Sequence, residues 1–202
     1  QVGPYPIHLN GPYIINAVID DTTTDKSPIA SAEFNLNQSD FAFMLPLDGA
    51  WYDADFIEEV YANFDATQIG ENVACVRGTD AFVPANVGDN TCHPFIVDYD
   101  FDGFFEPVNN DEVNEAKAGQ TIPIKWRITD YWGAPISDPA SFVGLYSYPI
   151  SCSDLIGDPE APIEEFASGS SGLQYLGDGY WQFSWKTPKT YAGACVNMYV
   201  LF

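Results

Sequence analysis

From Ile122 to Ile128 every second residue is apolar: Ile122, Ile124, Trp126 and Ile128 alternate with Pro123, Lys125 and Arg127. A period of two matches the pleat of a strand, whose side chains point alternately to opposite faces, and not the repeat of a helix. The segment is expected as a half-buried strand with its polar face outward. Pro123 removes one ladder donor, which places its outer side at an edge or a strand break. The same rhythm returns in Trp181, Phe183 and Trp185. These share an inward face if Leu173 to Trp185 is a hairpin turning at Asp178-Gly179, a dipeptide suited to a two-residue turn.

Long amphipathic repeats are missing elsewhere. Gly, Pro, Asn and Asp interrupt the chain at intervals of roughly eight to twelve residues, the spacing of an all-β sandwich or barrel. Further strands are expected at Pro12 to Asp20, Ala30 to Leu36, Phe56 to Phe64, Asn72 to Gly78 and Thr91 to Val97. A length of 202 residues allows one large domain or two of about 100. The boundary is placed near Asp98, where one strand ends and an acidic turn leads into Phe104. The expectation is an all-β chain of two tandem immunoglobulin-like β-sandwich domains, 1–98 and 99–202, joined by almost no linker. With 46% apolar and 15% aromatic residues, two real cores are within reach and disorder is not the reading.

The charge narrows the partners. Twenty-nine acids against seven Lys and Arg give a net charge of −22, which repels phosphate backbones and anionic lipid and argues against nucleic acid. It suits divalent cations, cationic partners, a saline habitat or plain solubility. No apolar run approaches the ~20 residues of a membrane helix, so membrane insertion is not expected. No basic segment followed by an apolar one opens the sequence, and Gln1 reads either as a mature terminus after signal cleavage or as an artificial boundary. Cys75, Cys92, Cys152 and Cys195 lack the close pairs that zinc prefers. Two disulfides are the better reading, and they place the protein in an oxidising, extracellular or cell-surface setting.

The second half carries Phe101, Gly103, Phe104, Pro107, Val108 and Asn109, then Lys117-Ala118-Gly119 and Ile122-Pro123-Ile124-Lys125. Cys152, Trp185-Lys186-Thr187, Gly193 and Cys195 follow in order. From about Asp98 to Phe202 this pattern resembles the bacterial extracellular domain named for its Pro-x-Lys-Phe motif, with Trp126 standing where that family has Phe. The resemblance implies an accessory module of secreted multidomain proteins, no catalysis, and a Cys152–Cys195 disulfide. The first half resembles, more loosely, a bacterial immunoglobulin-like domain through Ala32-Glu33-Phe34, Asp48-Gly49 and Val76-Arg77-Gly78-Thr79-Asp80-Ala81. It departs in the longer loop from Phe82 to Asn90, which a Cys75–Cys92 bridge would close.

Several groups are candidates for chemistry. Asp98, Asp100 and Asp102 before Gly103 have the spacing of a calcium loop, because hard carboxylates at alternate positions and a Gly for the turn suit Ca²⁺. The twelfth position is Asn109 rather than a bidentate Glu, and an ordinary acidic interdomain turn explains the residues too. In a standard sandwich the loop ending at Glu71 and the loop holding Asp130 lie near that junction, so both join the candidate Ca²⁺ set. Asp20, Asp21, Asp25, Asp80 and Asp89 form a second acidic group expected at the opposite tip. Trp51-Tyr52 and Tyr131-Trp132 lie at turns and are either core caps or glycan-stacking platforms. Glu58-Glu59 and Glu164-Glu165 are sequence neighbours that point to opposite faces of a strand, so neither pair works as an acid–base couple.

The last strand is apolar on both sides. Cys195, Asn197, Tyr199 and Leu201 form one phase, and Val196, Met198, Val200 and Phe202 the other. Either another part of the chain covers the second phase, or it is an interface to another domain or another copy. An unblunted edge there invites pairing with a neighbour's strand. The expected function is a non-catalytic structural or interaction module of an extracellular polymer, adhesin or surface layer, with calcium as an optional stabiliser. The alternative is an accessory carbohydrate-binding module of a secreted hydrolase.

Overall fold

The alternating segments become strands. A computed structural model describes residues 6–24, 26–52, 56–110, 112–159, 162–167 and 172–202. Among them there is no α-helix, only two short 3-10 turns, Pro139–Ser141 and Lys189–Tyr191. The chain divides into two compact units, Gln1–Asp98 and Tyr99–Phe202.

The first unit contains β1 (Ile7–His8), β2 (Pro12–Asp20), β3 (Ile29–Leu36), β4 (Ala42–Phe43), β5 (Leu45–Pro46), β6 (Ile57–Asp65), β7 (Gly70–Asp80) and β8 (Thr91–Asp98). One sheet runs β1-β8-β7-β3-β4 and the other β2-β6-β5. Among the described residues only β1 joins its neighbour in parallel, through Ile7 and His8 beside Val97 and Asp98 of β8. Ile15, Phe34, Val60, Phe64, Val76, Phe95 and Val97 form one buried cluster drawn from both sheets. The core therefore lies between two layers, as alternation along each strand requires.

The second unit contains β9 (Asp100–Phe105), β10 (Thr121–Thr129), β11 (Gly144–Ile150), β12 (Ile163–Glu164), β13 (Leu173–Gly177), β14 (Tyr180–Lys186) and β15 (Cys195–Leu201). Its sheets run β13-β14-β10-β9 and β12-β11-β15. Ile124, Trp126 and Ile128 of β10 are almost wholly enclosed, with Trp181, Phe183 and Trp185 of β14 and Leu145 of β11 around them. Trp126 stacks on Phe142, ring centroids 5.4 Å apart. β9 pairs with β10 only from Lys125 onward, so Pro123 has β14 on one side and no described strand on the other. Asp178 and Gly179 both have positive φ, as the tight β13–β14 turn demands. A Cβ on Gly179 would stand 2.5 Å from the Ile128 carbonyl, so no other residue fits without backbone movement.

One expectation needs correcting. The stretch after Asp98 is not an acidic turn or loop, because Asp100 to Phe105 is the strand β9, paired with β10. Phe101 and Phe104 sit 5.4 Å apart, and Phe101 also meets Phe202. Phe104 packs against the second core, which holds the segment in the sheet.

Both disulfides form: Cys75–Cys92 links neighbouring β7 and β8, and Cys152–Cys195 ties the loop after β11 to the start of β15. They place the chain outside a reducing cytosol. Closing the 43-residue separation between Cys152 and Cys195 restricts the unfolded chain. Replacing both by Ser is expected to destabilise the second unit by about 2–4 kcal/mol, read from denaturant unfolding, and an unchanged midpoint would contradict this.

Candidate functional site

Two of the acids singled out for Ca²⁺, Asp102 and Asp130, have partners within the chain. Asp102 pairs with Arg127 at 3.0 Å, and that guanidinium also receives help from the Asp178 carboxylate 3.9 Å away. The Asp102 hydrogen bond, ahead of the other charges, holds Arg127 above its ordinary pKa. Asp130 is buried, and its Oδ1 accepts from the backbone N–H groups of Trp132 and Ala134, each at 2.9 Å. That carboxylate builds its own turn. Asp100 opens β9, Asp98 closes β8, and Glu71 is exposed on β7 beside Ile96. Within neither unit do the described residues gather three His, Cys, Asp or Glu side chains as a metal ion requires.

The second acidic group behaves similarly. Asp20 accepts from the Thr22 N–H and hydroxyl, Asp21 from the Ser27 N–H, and Asp80 from the N–H groups of Phe82 and Asn86. The Thr22 hydroxyl and then its N–H hold the Asp20 carboxyl below the ordinary value. Asp25 lies outside the described residues. Each described loop thus uses a short acid to satisfy its own backbone.

The aromatic pairs diverge. Trp51 packs against the first core, and Tyr52 beside it is exposed in the left-handed region. Trp132 is 68% exposed and meets Tyr131 edge to face at 4.9 Å. The Asp130 turn therefore carries a largely exposed indole.

On β15, Val196, Met198, Val200 and the following Phe202 pack onto the second core. The burial of that phase within its own unit accounts for its apolar character. Tyr199, in the opposite phase, stacks on Tyr146 at 5.6 Å, and Asn197 donates to the Tyr148 hydroxyl. One side of β15 pairs with β11, and no described strand pairs with the other.

Glu165 carries a polar centre that the sequence did not signal. Its carboxylate is buried, accepting from the Ser147 hydroxyl, from the Tyr191 hydroxyl at 2.7 Å and from the Trp185 indole N–H at 2.7 Å. Ser147 lies on β11 and Trp185 on β14, so the carboxylate bridges the two sheets. A buried charge survives only with such donors. The four groups occupy one another, which makes them a structural clamp.

Two outcomes follow from this geometry. Burial, foremost, raises the Tyr191 hydroxyl above its ordinary 10.0, so the fold favours the neutral phenol. That contribution is present below pH 10 and lost as pH rises through the raised value. Tyr191→Phe is expected to flatten the alkaline loss of melting temperature above about pH 10, and an unchanged alkaline limb would contradict the clamp. Asp100→Ala with Asp102→Ala is expected to shift the melting temperature equally in calcium and in chelator, since an exposed ion pair contributes little. A shift confined to calcium would favour the metal reading.

No family model, curated protein or solved structure matches this chain.

Proposed function

We propose that the chain is a non-catalytic structural or interaction module of an extracellular or cell-surface protein, made of two tandem immunoglobulin-like sandwiches. The strand order supports this. With β2, β6 and β5 opposite β3, β7 and β8, the first unit has the layering of such domains. In the second, β9, β10, β14 and β13 oppose β11 and β15. The residue pattern resembling the Pro-x-Lys-Phe domain and the disulfides point the same way.

The observation that carries the reading is the edge of β15. Its sequence, Cys195 to Leu201, holds no charged residue, proline or glycine in a chain of net charge −22. Its register against β11 runs unbroken from Gly144↔Leu201 to Ile150↔Cys195. Proteins ordinarily blunt an exposed edge with charge, proline or a bulge, and a strand this regular is suited to accept a further strand. Immunogold labelling of intact producing cells is expected to decorate the outer surface or extracellular material. Label confined to the cytosol, or four reactive thiols in the native protein, would contradict the proposal.

The exposure of Trp132 favours a second reading, an accessory carbohydrate-binding module, because an exposed aromatic face suits stacking on a sugar ring. Retention on an insoluble polysaccharide that Trp132→Ala abolishes would select it. No retention would leave the interaction module.

A further inference from the structure

Asn37 is the one asparagine of the chain with Ser or Thr two places on, in Asn37-Gln38-Ser39, and the residue between is not proline. Such a triplet accepts N-linked sugar in exported proteins when it lies on the surface. Here it follows β3 in a turn, where the Ser39 N–H donates to the Leu36 carbonyl at 3.0 Å. Asn37, Gln38, Ser39 and Asp40 are all exposed. Asn37 and Gln38 lie in the left-handed region, with φ of 52° and 63°. Asn tolerates that conformation better than most residues, so the turn alone accounts for an Asn at 37. It does not account for the hydroxyl at 39. Ser39 Oγ reaches the Leu36 N–H at 3.4 Å and the Asp40 carbonyl at 3.3 Å, both beyond a good hydrogen bond.

The fold holds the Asn37 amide in one orientation. Its Oδ1 accepts from the Val73 N–H at 2.8 Å, and its Nδ2 donates to Asn72 Oδ1 at 2.6 Å. Asn72 is buried, and its own Nδ2 donates to the carbonyls of Gln68 and Gly70. That leaves the Asn72 oxygen to face Asn37. An amide nitrogen has two hydrogens. The second one on Asn37 donates to Gln68 Oε1 at 3.2 Å, and Gln68 is exposed. Replacing that hydrogen by a sugar carbon gives up one long bond to a solvent-facing side chain. The two shorter bonds, to Val73 and Asn72, are kept. Val73 is 40% exposed, so a sugar at this position also gains an apolar neighbour.

We propose that Asn37 is an N-glycosylation site that takes its sugar from a lipid-linked diphosphate donor. Nδ2 attacks C1 of the first sugar, and the N–C1 bond forms as the C1–O bond to the diphosphate breaks. The lipid diphosphate leaves with the electron pair of that bond, and the proton lost from Nδ2 passes to solvent. The inference rests on the extracellular reading, since N-linked sugar is a mark of exported chains.

Mass spectrometry of the protein purified from its producing cells tests this. After reduction, trypsin releases one peptide from Ser27 to Arg77, which contains the triplet. That peptide is expected to carry a glycan whose fragments place it on Asn37. Ser39→Ala leaves the Asn37 amide and its partners in place, and is expected to return the peptide to its unmodified mass. Ser39→Thr is expected to keep the glycan. Ser39→Gly replaces Ser39→Ala if circular dichroism shows that the latter loses its fold. An unmodified peptide from the unsubstituted chain, or a glycan that survives Ser39→Ala, would overturn the proposal. A bare peptide from protein that the immunogold label places outside the cell overturns the modification alone. Label confined to the cytosol overturns the extracellular reading with it.

Discussion

Every residue in a strand brings a donor and an acceptor that must find partners on one side or the other, and a sheet ends where that supply is managed. In this chain most ends are managed by brevity, charge, proline or a bulge. The long regular strands β2 and β15 are the exceptions. In the first unit β8 covers β7, and in the second β9 covers β10. The proposed function leans on the regularity of β15.

The side chains hold the strands in position to meet it. Two cores, each drawn from both of its sheets, supply the non-directional stabilisation. The Glu165 clamp adds direction in the second unit by tying β11 to β14 through Ser147 and Trp185. Such a group specifies how two layers sit on each other, since a shifted layer would leave a buried carboxylate without donors. Cys152–Cys195 anchors the start of β15 next to the same core. β15 is thus a fixed strand and not a frayed one.

Local regularity made much of the architecture readable. Alternation announced β2, β10 and β14, and the Asp178-Gly179 pair announced the β13–β14 turn. Two-residue strands such as β4, β5 and β12 have no period and left no mark. The spacing of Asp98, Asp100 and Asp102 suits both a cation loop and a strand with acids on its outer positions. What decides is the pairing of Phe101 with Ile128 and Phe104 with Trp126, which is long-range. Glu165 was hidden for the same reason: its donors Ser147, Trp185 and Tyr191 are 18, 20 and 26 residues away. That Asp130 is buried and holds its own turn is likewise not announced by its position in a loop.

Residue-resolved hydrogen–deuterium exchange on β11 and β15 addresses the central claim most directly. The amides of β15 that bond β11 should be protected together with those of β10 and β14, because the disulfide and one shared core hold the strand in place. Loop-like exchange along the whole of β15 would contradict the account.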